Sequence, residues 1–163
     1  MPIEALVLLG LITLNGVFAM SEIALVTARR ARLQVLVEEG DRGAAAAMAL
    51  NTEPTRFLST IQVGITSIGI TSGIVGEAAF AYPLSQWLIG LGVKPGNASL
   101  GATVLVVVVI TYVSIVIGEL VPKRLGQIWP EAIARRVATP IRWLATATRP
   151  FVRLLSSSTD LLL

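Results

Sequence analysis

Three stretches of this chain, residues 5–21, 57–76 and 98–118, contain no Asp, Glu, Lys or Arg. A helix needs about 20 apolar residues to cross the roughly 30 Å hydrocarbon layer of a membrane, and each stretch is close to that length. Backbone N–H and C=O groups find no water in such a layer, so a spanning segment without barrel partners must be helical. The first stretch continues past Glu22 through four further apolar residues, which carries its helix to residue 27 and makes Glu22 an intramembrane carboxylate. The expected spans are 4–27, 56–80 and 98–120. Overall, 54% of the residues are hydrophobic and 14% charged, with a mean hydropathy of +0.77. The expected fold class is an all-α membrane protein.

Only Glu4 precedes the first apolar run, and a cleavable signal peptide would need a basic segment there, so the run is read as a span. Cysteine and histidine are absent. Disulfides, thiolate zinc sites and any Cys or His nucleophile or base are thereby excluded, and the available chemistry rests on oxygen. No enzymatic activity is expected.

The cations show the orientation. Of the 13 Lys and Arg residues, Arg29, Arg30, Arg32, Arg42 and Arg56 lie between the first two spans and seven, from Lys123 to Arg153, follow the third. Lys94 alone lies between spans two and three. Positive residues are retained on the cytoplasmic side, which predicts an inner (plasma) membrane protein with its N-terminus outside and its C-terminus inside. The basic charge thus reflects topology, and no nucleic-acid partner is expected.

The connector TARRARLQVLVEEGDRGAAAAMALNTEP, residues 27–54, suggests an amphipathic juxtamembrane helix at about 29–50. Beyond the third span, Arg135, Arg142 and Arg149 recur every seven residues, with Val137, Ile141 and Leu144 on another face. Short surface helices broken at Pro130, Pro140 and Pro150 are expected over 130–156, forming a basic collar against anionic headgroups.

Span two is unusually polar. Ser59, Gln62, Thr66, Gly69, Gly73 and Gly76 follow one another at spacings of three and four, beside a second row of Thr60, Gly64, Ser67 and Thr71. Close helix packing, with Gly69 and Gly73 as a GxxxG pair, explains the glycines. A lined polar cavity explains the hydroxyls and the amide better, since each needs a partner or water inside a membrane.

The third span closes on VSIVIGELVPKR, residues 113–124. Pro122 has no N–H to give the carbonyl four residues earlier, so the Gly118 carbonyl is left free next to the Glu119 carboxylate. Ser114 and Thr111 continue the Gly118 face. The plain alternative is a capped helix terminus with Glu119 paired to Lys123 or Arg124. On span one, Asn15 and Glu22 are seven residues apart on one face, with Ser21 beside Glu22. Asn15, Ser21, Ser67, the Gly118 carbonyl and Glu119, with Glu22 as a second carboxylate, make an oxygen-only ligand set. Such a set suits Mg²⁺, Ca²⁺ or Na⁺ and not zinc or copper.

The segments LNGVFAMSEIALVTARRARL, FLSTIQVGITSIGITSGIVGE and IGELVPKRLG, in this order, resemble the transmembrane domain of the CorC/CNNM magnesium transporters. The resemblance covers nearly the whole chain. It implies a homodimer of three-span protomers, an inward-open polar cavity, and Mg²⁺ export coupled to Na⁺ by alternating access. It places function in Ser21, Glu22, Ser67, Gly118 and Glu119. Family members carry cytosolic CBS domains after the spans; this chain ends at TDLLL without them, so it reads as the membrane part of a longer protein. The competing expectation is a non-transporting membrane anchor or sensor for such cytosolic domains, holding a structural cation.

Overall fold

The computed structural model describes residues 2–162. Its helices are α1 (Pro2–Thr27), α2 (Arg30–Glu38), α3 (Arg42–Leu50), α4 (Pro54–Gly90), α5 (Pro95–Ile115), a π turn (Val116–Leu120), α6 (Val121–Ile128), α7 (Pro130–Ala147) and α8 (Arg149–Leu162). Three helical stretches are long and apolar enough to cross a membrane: Ile3–Thr27, Pro54–Gly90 and Pro95–Ile128.

The second and third stretches outrun their predicted limits. At about 1.5 Å per residue, the 37 residues of α4 far exceed the hydrocarbon thickness, so part of that helix projects beyond it. Its end is set by Gly92, whose φ of 93° forms a Schellman cap: Val93 N–H donates to the Leu88 carbonyl and Gly92 N–H to the Ile89 carbonyl. Pro95, at the first helical position of α5, starts the next helix almost at once. Residues 83–97, between the second and third spans, are therefore mostly helix, with Pro83 inside α4.

Pro122 does not stop the third helix either. The backbone widens to the π pattern, with Val121 N–H donating to the Val116 carbonyl. A register one residue longer takes up the proline that an α-helical ladder cannot serve, and α6 follows directly. Likewise α7 runs through Pro140 unbroken.

The chain divides into two compact units. One contains the residues up to Val17 together with Thr66–Val121. Its apolar cluster is Leu8, Ile12, Val106 and Ile110, joining α1 to α5, with Val75, Phe80 and Leu84 of α4 against it. At the periphery of this unit Thr103 Oγ1 donates to Glu77 Oε1 at 3.3 Å.

The other unit contains Phe18–Ile65 and the chain from Pro122 onward. Here α3 packs on α7 and α2. Ala44 and Ala47 of α3 are buried with Ala134 and Ala138 of α7 in one cluster that includes Leu25, Leu33, Phe57 and Ile61. Small side chains bring the two backbones together, and a Cβ on Gly43 would overlap the Arg135 carbonyl. Asp41 caps α3, its Oδ1 accepting from Ala44 N–H at 2.9 Å. Its Oδ2 receives Arg135 Nη1 at 2.9 Å. Glu131 of α7 accepts from the Arg29 backbone N–H at 3.2 Å and lies 3.8 Å from Arg32 Nη1. Arg135, expected in an outward collar, is thus tied into the helical packing.

Candidate functional site

Burying leucine against leucine gains little in lipid, whose tails are as apolar as the side chains, so close approach and polar contacts must hold membrane helices together. In the first unit that contact is made by Asn15 and Gly118. Asn15 Nδ2 donates to the Gly118 carbonyl at 3.0 Å. Because a carbonyl only accepts, the bond sets which way the amide points. Gly118 is required for the approach: a Cβ there would stand 3.3 Å from both Asn15 Nδ2 and the Ile12 carbonyl. The carbonyl that Pro122 denies an α-helical partner is therefore received by span one.

The same bond leaves Asn15 Oδ1 buried without a hydrogen-bond partner among the described residues, and Ser114 Oγ is in the same condition. Asn15 as a whole is 7% exposed. A buried acceptor left unpaired costs about 1–3 kcal/mol. Here it lies on the amide that holds the Gly118 carbonyl, one residue before Glu119 in the chain. Neutral oxygens with a single carboxylate are the donor type of hard cations. No three carboxylates converge among the described residues, so any cation here relies mainly on neutral oxygens and water.

The other predicted residues take different positions. Ser67 is exposed on α4, and its carbonyl accepts from Thr71 Oγ1 at 2.8 Å. Glu119 is half-buried. In the second unit Ser21 is fully buried, and Glu22 Oε2 lies 3.6 Å from Lys123 Nζ. The sequence offered Lys123 as a partner for Glu119 and did not anticipate its contact with Glu22. Gly126 allows that closeness, since a Cβ on it would meet the Ile23 side chain and, at 2.8 Å, the Met20 carbonyl of α1.

The polar stripe of α4 divides. Ser59 and Gln62 line a cavity of about 470 Å³ in the second unit with Glu22, Val63, Leu155 and Thr159. Thr66, Ser67, Gly69 and Thr71 are exposed in the first unit. A Cβ on Gly69 or Gly73 would meet nothing within 4 Å, so the GxxxG pair is not packed within this chain.

Residues 6–163 match the Cyclin M (CNNM) transmembrane N-terminal domain. The chain belongs to the CNNM transmembrane-domain family. Among its relatives, the UPF0053 protein sll0260 of Synechocystis is 44% identical over 161 residues, covering 99% of this chain and 36% of that protein. The polyamine export protein of Escherichia coli is 32% identical over 147 residues, covering 90% of this chain and 33% of that protein. UPF0053 protein YhdT of Bacillus subtilis is 34% identical over 161 residues, covering 98% of this chain and 35% of that protein. The chain thus spans about a third of the length of the curated relatives it matches. This CNNM domain is a membrane domain, and its family is typically transporter-like rather than enzymatic.

Proposed function

We propose that this CNNM domain is the membrane-spanning part of a cation exporter whose substrate is Mg²⁺, moved by alternating access and coupled to Na⁺. The reading is carried by Asn15 Oδ1, a buried acceptor without a partner among the described residues, on the amide that binds the Gly118 carbonyl. Together with Glu119 these oxygens form the centre of the ion site. Within the first unit Ser67 is the hydroxyl ligand that the family resemblance implies, and retained waters complete the octahedron that Mg²⁺ prefers. The π turn supplies the adjustable backbone, as such turns often do at functional positions. Glu22 attracts cations or takes Na⁺. Twelve of the thirteen cations flank the cytoplasmic side in this reading, which puts the N-terminus outside. The open Gly69 and Gly73 face is assigned to a second copy in a homodimer.

A second reading is favoured by one observation. The cavity holding Glu22 combines a carboxylate, hydroxyls and apolar walls, which suits an alkylammonium cation, and one relative is named a polyamine export protein. Efflux from proteoliposomes containing the full-length protein decides. Mg²⁺ release that requires a Na⁺ gradient and is abolished by Glu119→Ala supports the first reading. Release of a linear diamine, lost in Glu22→Gln and indifferent to Glu119→Ala, supports the second. With neither flux, the chain is a membrane anchor.

A further inference from the structure

Two cavities of the second unit lie side by side and share Arg56, Ala145 and Arg149. The first, about 380 Å³, adds Arg153 and Ser156; the other, about 310 Å³, adds Arg142 and Glu53. Four guanidiniums therefore surround one trough with a single carboxylate. That carboxylate, Glu53, lies 3.4 Å from Arg56, and its side chain is 69% exposed. Among the described residues Arg142, Arg149 and Arg153 have no carboxylate within ion-pair distance.

Unneutralised like charges around one concavity repel one another, and the arrangement is relieved by an anion. The donors define which anion. Ser59 Oγ gives its proton to the Thr55 carbonyl and Thr60 Oγ1 to that of Arg56, so those two hydroxyls present lone pairs, and the charged donors are the guanidinium forks. Planar forks on several sides match an anion with several acceptor oxygens, as phosphate has. The location narrows the source. Arg56 lies in the first turn of α4, a helix long enough to cross a membrane, and α8 exposes Phe151 and Leu154 next to its arginines. A phosphate attached to acyl chains finds cations and apolar surface together there.

We propose that the trough between the start of α4 and helices α7 and α8 is a binding site for a phosphate group, distinct from the transport site. Its source is an anionic lipid headgroup or free phosphate.

The test uses the full-length protein in a neutral detergent, titrated by calorimetry with dioctanoyl-phosphatidylglycerol, with dioctanoyl-phosphatidylcholine and with inorganic phosphate. In the expected result phosphatidylglycerol binds and raises Tm. The variant Arg149→Gln with Arg153→Gln then loses about tenfold in affinity, and Arg149→Lys, which keeps the charge but not the fork, loses less. The control Arg30→Gln with Arg124→Gln removes two exposed charges elsewhere and keeps its affinity. Binding of inorganic phosphate with the same variant dependence assigns the site to free phosphate; binding of phosphatidylglycerol alone assigns it to the lipid. The proposal is overturned if nothing binds, if the Arg149 and Arg153 variant binds as the parent does, or if both double variants lose equally, since that reports diffuse charge. Mg²⁺ efflux is a separate readout, so failure here leaves the transport reading untouched.

Discussion

Asn15 Nδ2 donates to the Gly118 carbonyl at 3.0 Å, joining residues 103 positions apart in the chain. The bond fastens span one to the π turn of span three and leaves Asn15 Oδ1 buried with no hydrogen-bond partner among the described residues. An interhelical hydrogen bond in a membrane is worth about 0.6–2 kcal/mol, and Asn15→Ala is expected to lose that much in unfolding from detergent. If Oδ1 meets the ion, Mg²⁺ efflux falls as well, by roughly 10- to 100-fold. A variant that loses stability but transports at the parental rate removes Asn15 from the ion site.

Glu22 and Lys123 form a partly exposed pair, their side chains 22% and 31% exposed. Screening limits such a pair to about 1 kcal/mol or less. A double-mutant cycle with Glu22→Gln and Lys123→Met is expected to give a coupling energy of about 0.5–1 kcal/mol, shrinking in high salt. Additive losses would show that the two residues act independently.

Gly43→Ala sets two effects against each other. Alanine in a helix is better than glycine by up to about 1 kcal/mol. Here, however, the new Cβ overlaps the Arg135 carbonyl, a backbone atom that cannot swing aside. Overpacking of this kind costs about 1–3 kcal/mol, so a net loss of stability is expected, read as a lower unfolding midpoint. A gain would mean that α3 and α7 separate freely.

Asp41 links α3 to α7 electrostatically. The Ala44 N–H holds its carboxyl below the ordinary carboxylate range; burial opposes this, and the Arg135 guanidinium and the Gly43 N–H add to the lowering. A folded pKa below the unfolded value means the contribution is complete above about pH 4 and is lost as pH falls through the lower, folded value. Asp41→Asn keeps the helix cap, since asparagine caps equally well, and removes the charge. Its stability is expected to depend less on pH below about 4 than the parent's does, measured by thermal melts across that range. An unchanged acid slope would assign the pH dependence to other carboxylates.

One half of the Asn15–Gly118 contact was legible in the sequence because it depends on covalent facts. Pro122 lacks an N–H, so a carbonyl four residues back had to seek another donor, and Gly118 was the residue that bared it. The recipient was not legible. Asn15 shared a face with Glu22 by spacing, yet its bond to Gly118 depends on how span one lies against span three. The prediction of a break at Pro140 failed for a related reason: a proline removes one donor, but whether the chain stops or continues around it depends on what surrounds the helix. The GxxxG reading of Gly69 and Gly73 also exceeded what spacing can show, because small residues permit close packing without supplying the neighbour.

Residue composition alone shows that three stretches of this chain are long and apolar enough to cross a membrane, and that it offers an ion no thiolate or imidazole ligand. These follow from side-chain transfer energies and from the absence of cysteine and histidine, which are properties of residues one at a time. It is the packing of the helices that brings Asn15 Nδ2 to donate to the Gly118 carbonyl, Lys123 to Glu22 and Arg135 to Asp41, and that leaves Arg142, Arg149 and Arg153 with no carboxylate at ion-pair distance among the described residues. Pairing is a matter of distance between helices, and a few ångströms decide which of several chemically equivalent partners each charge finds.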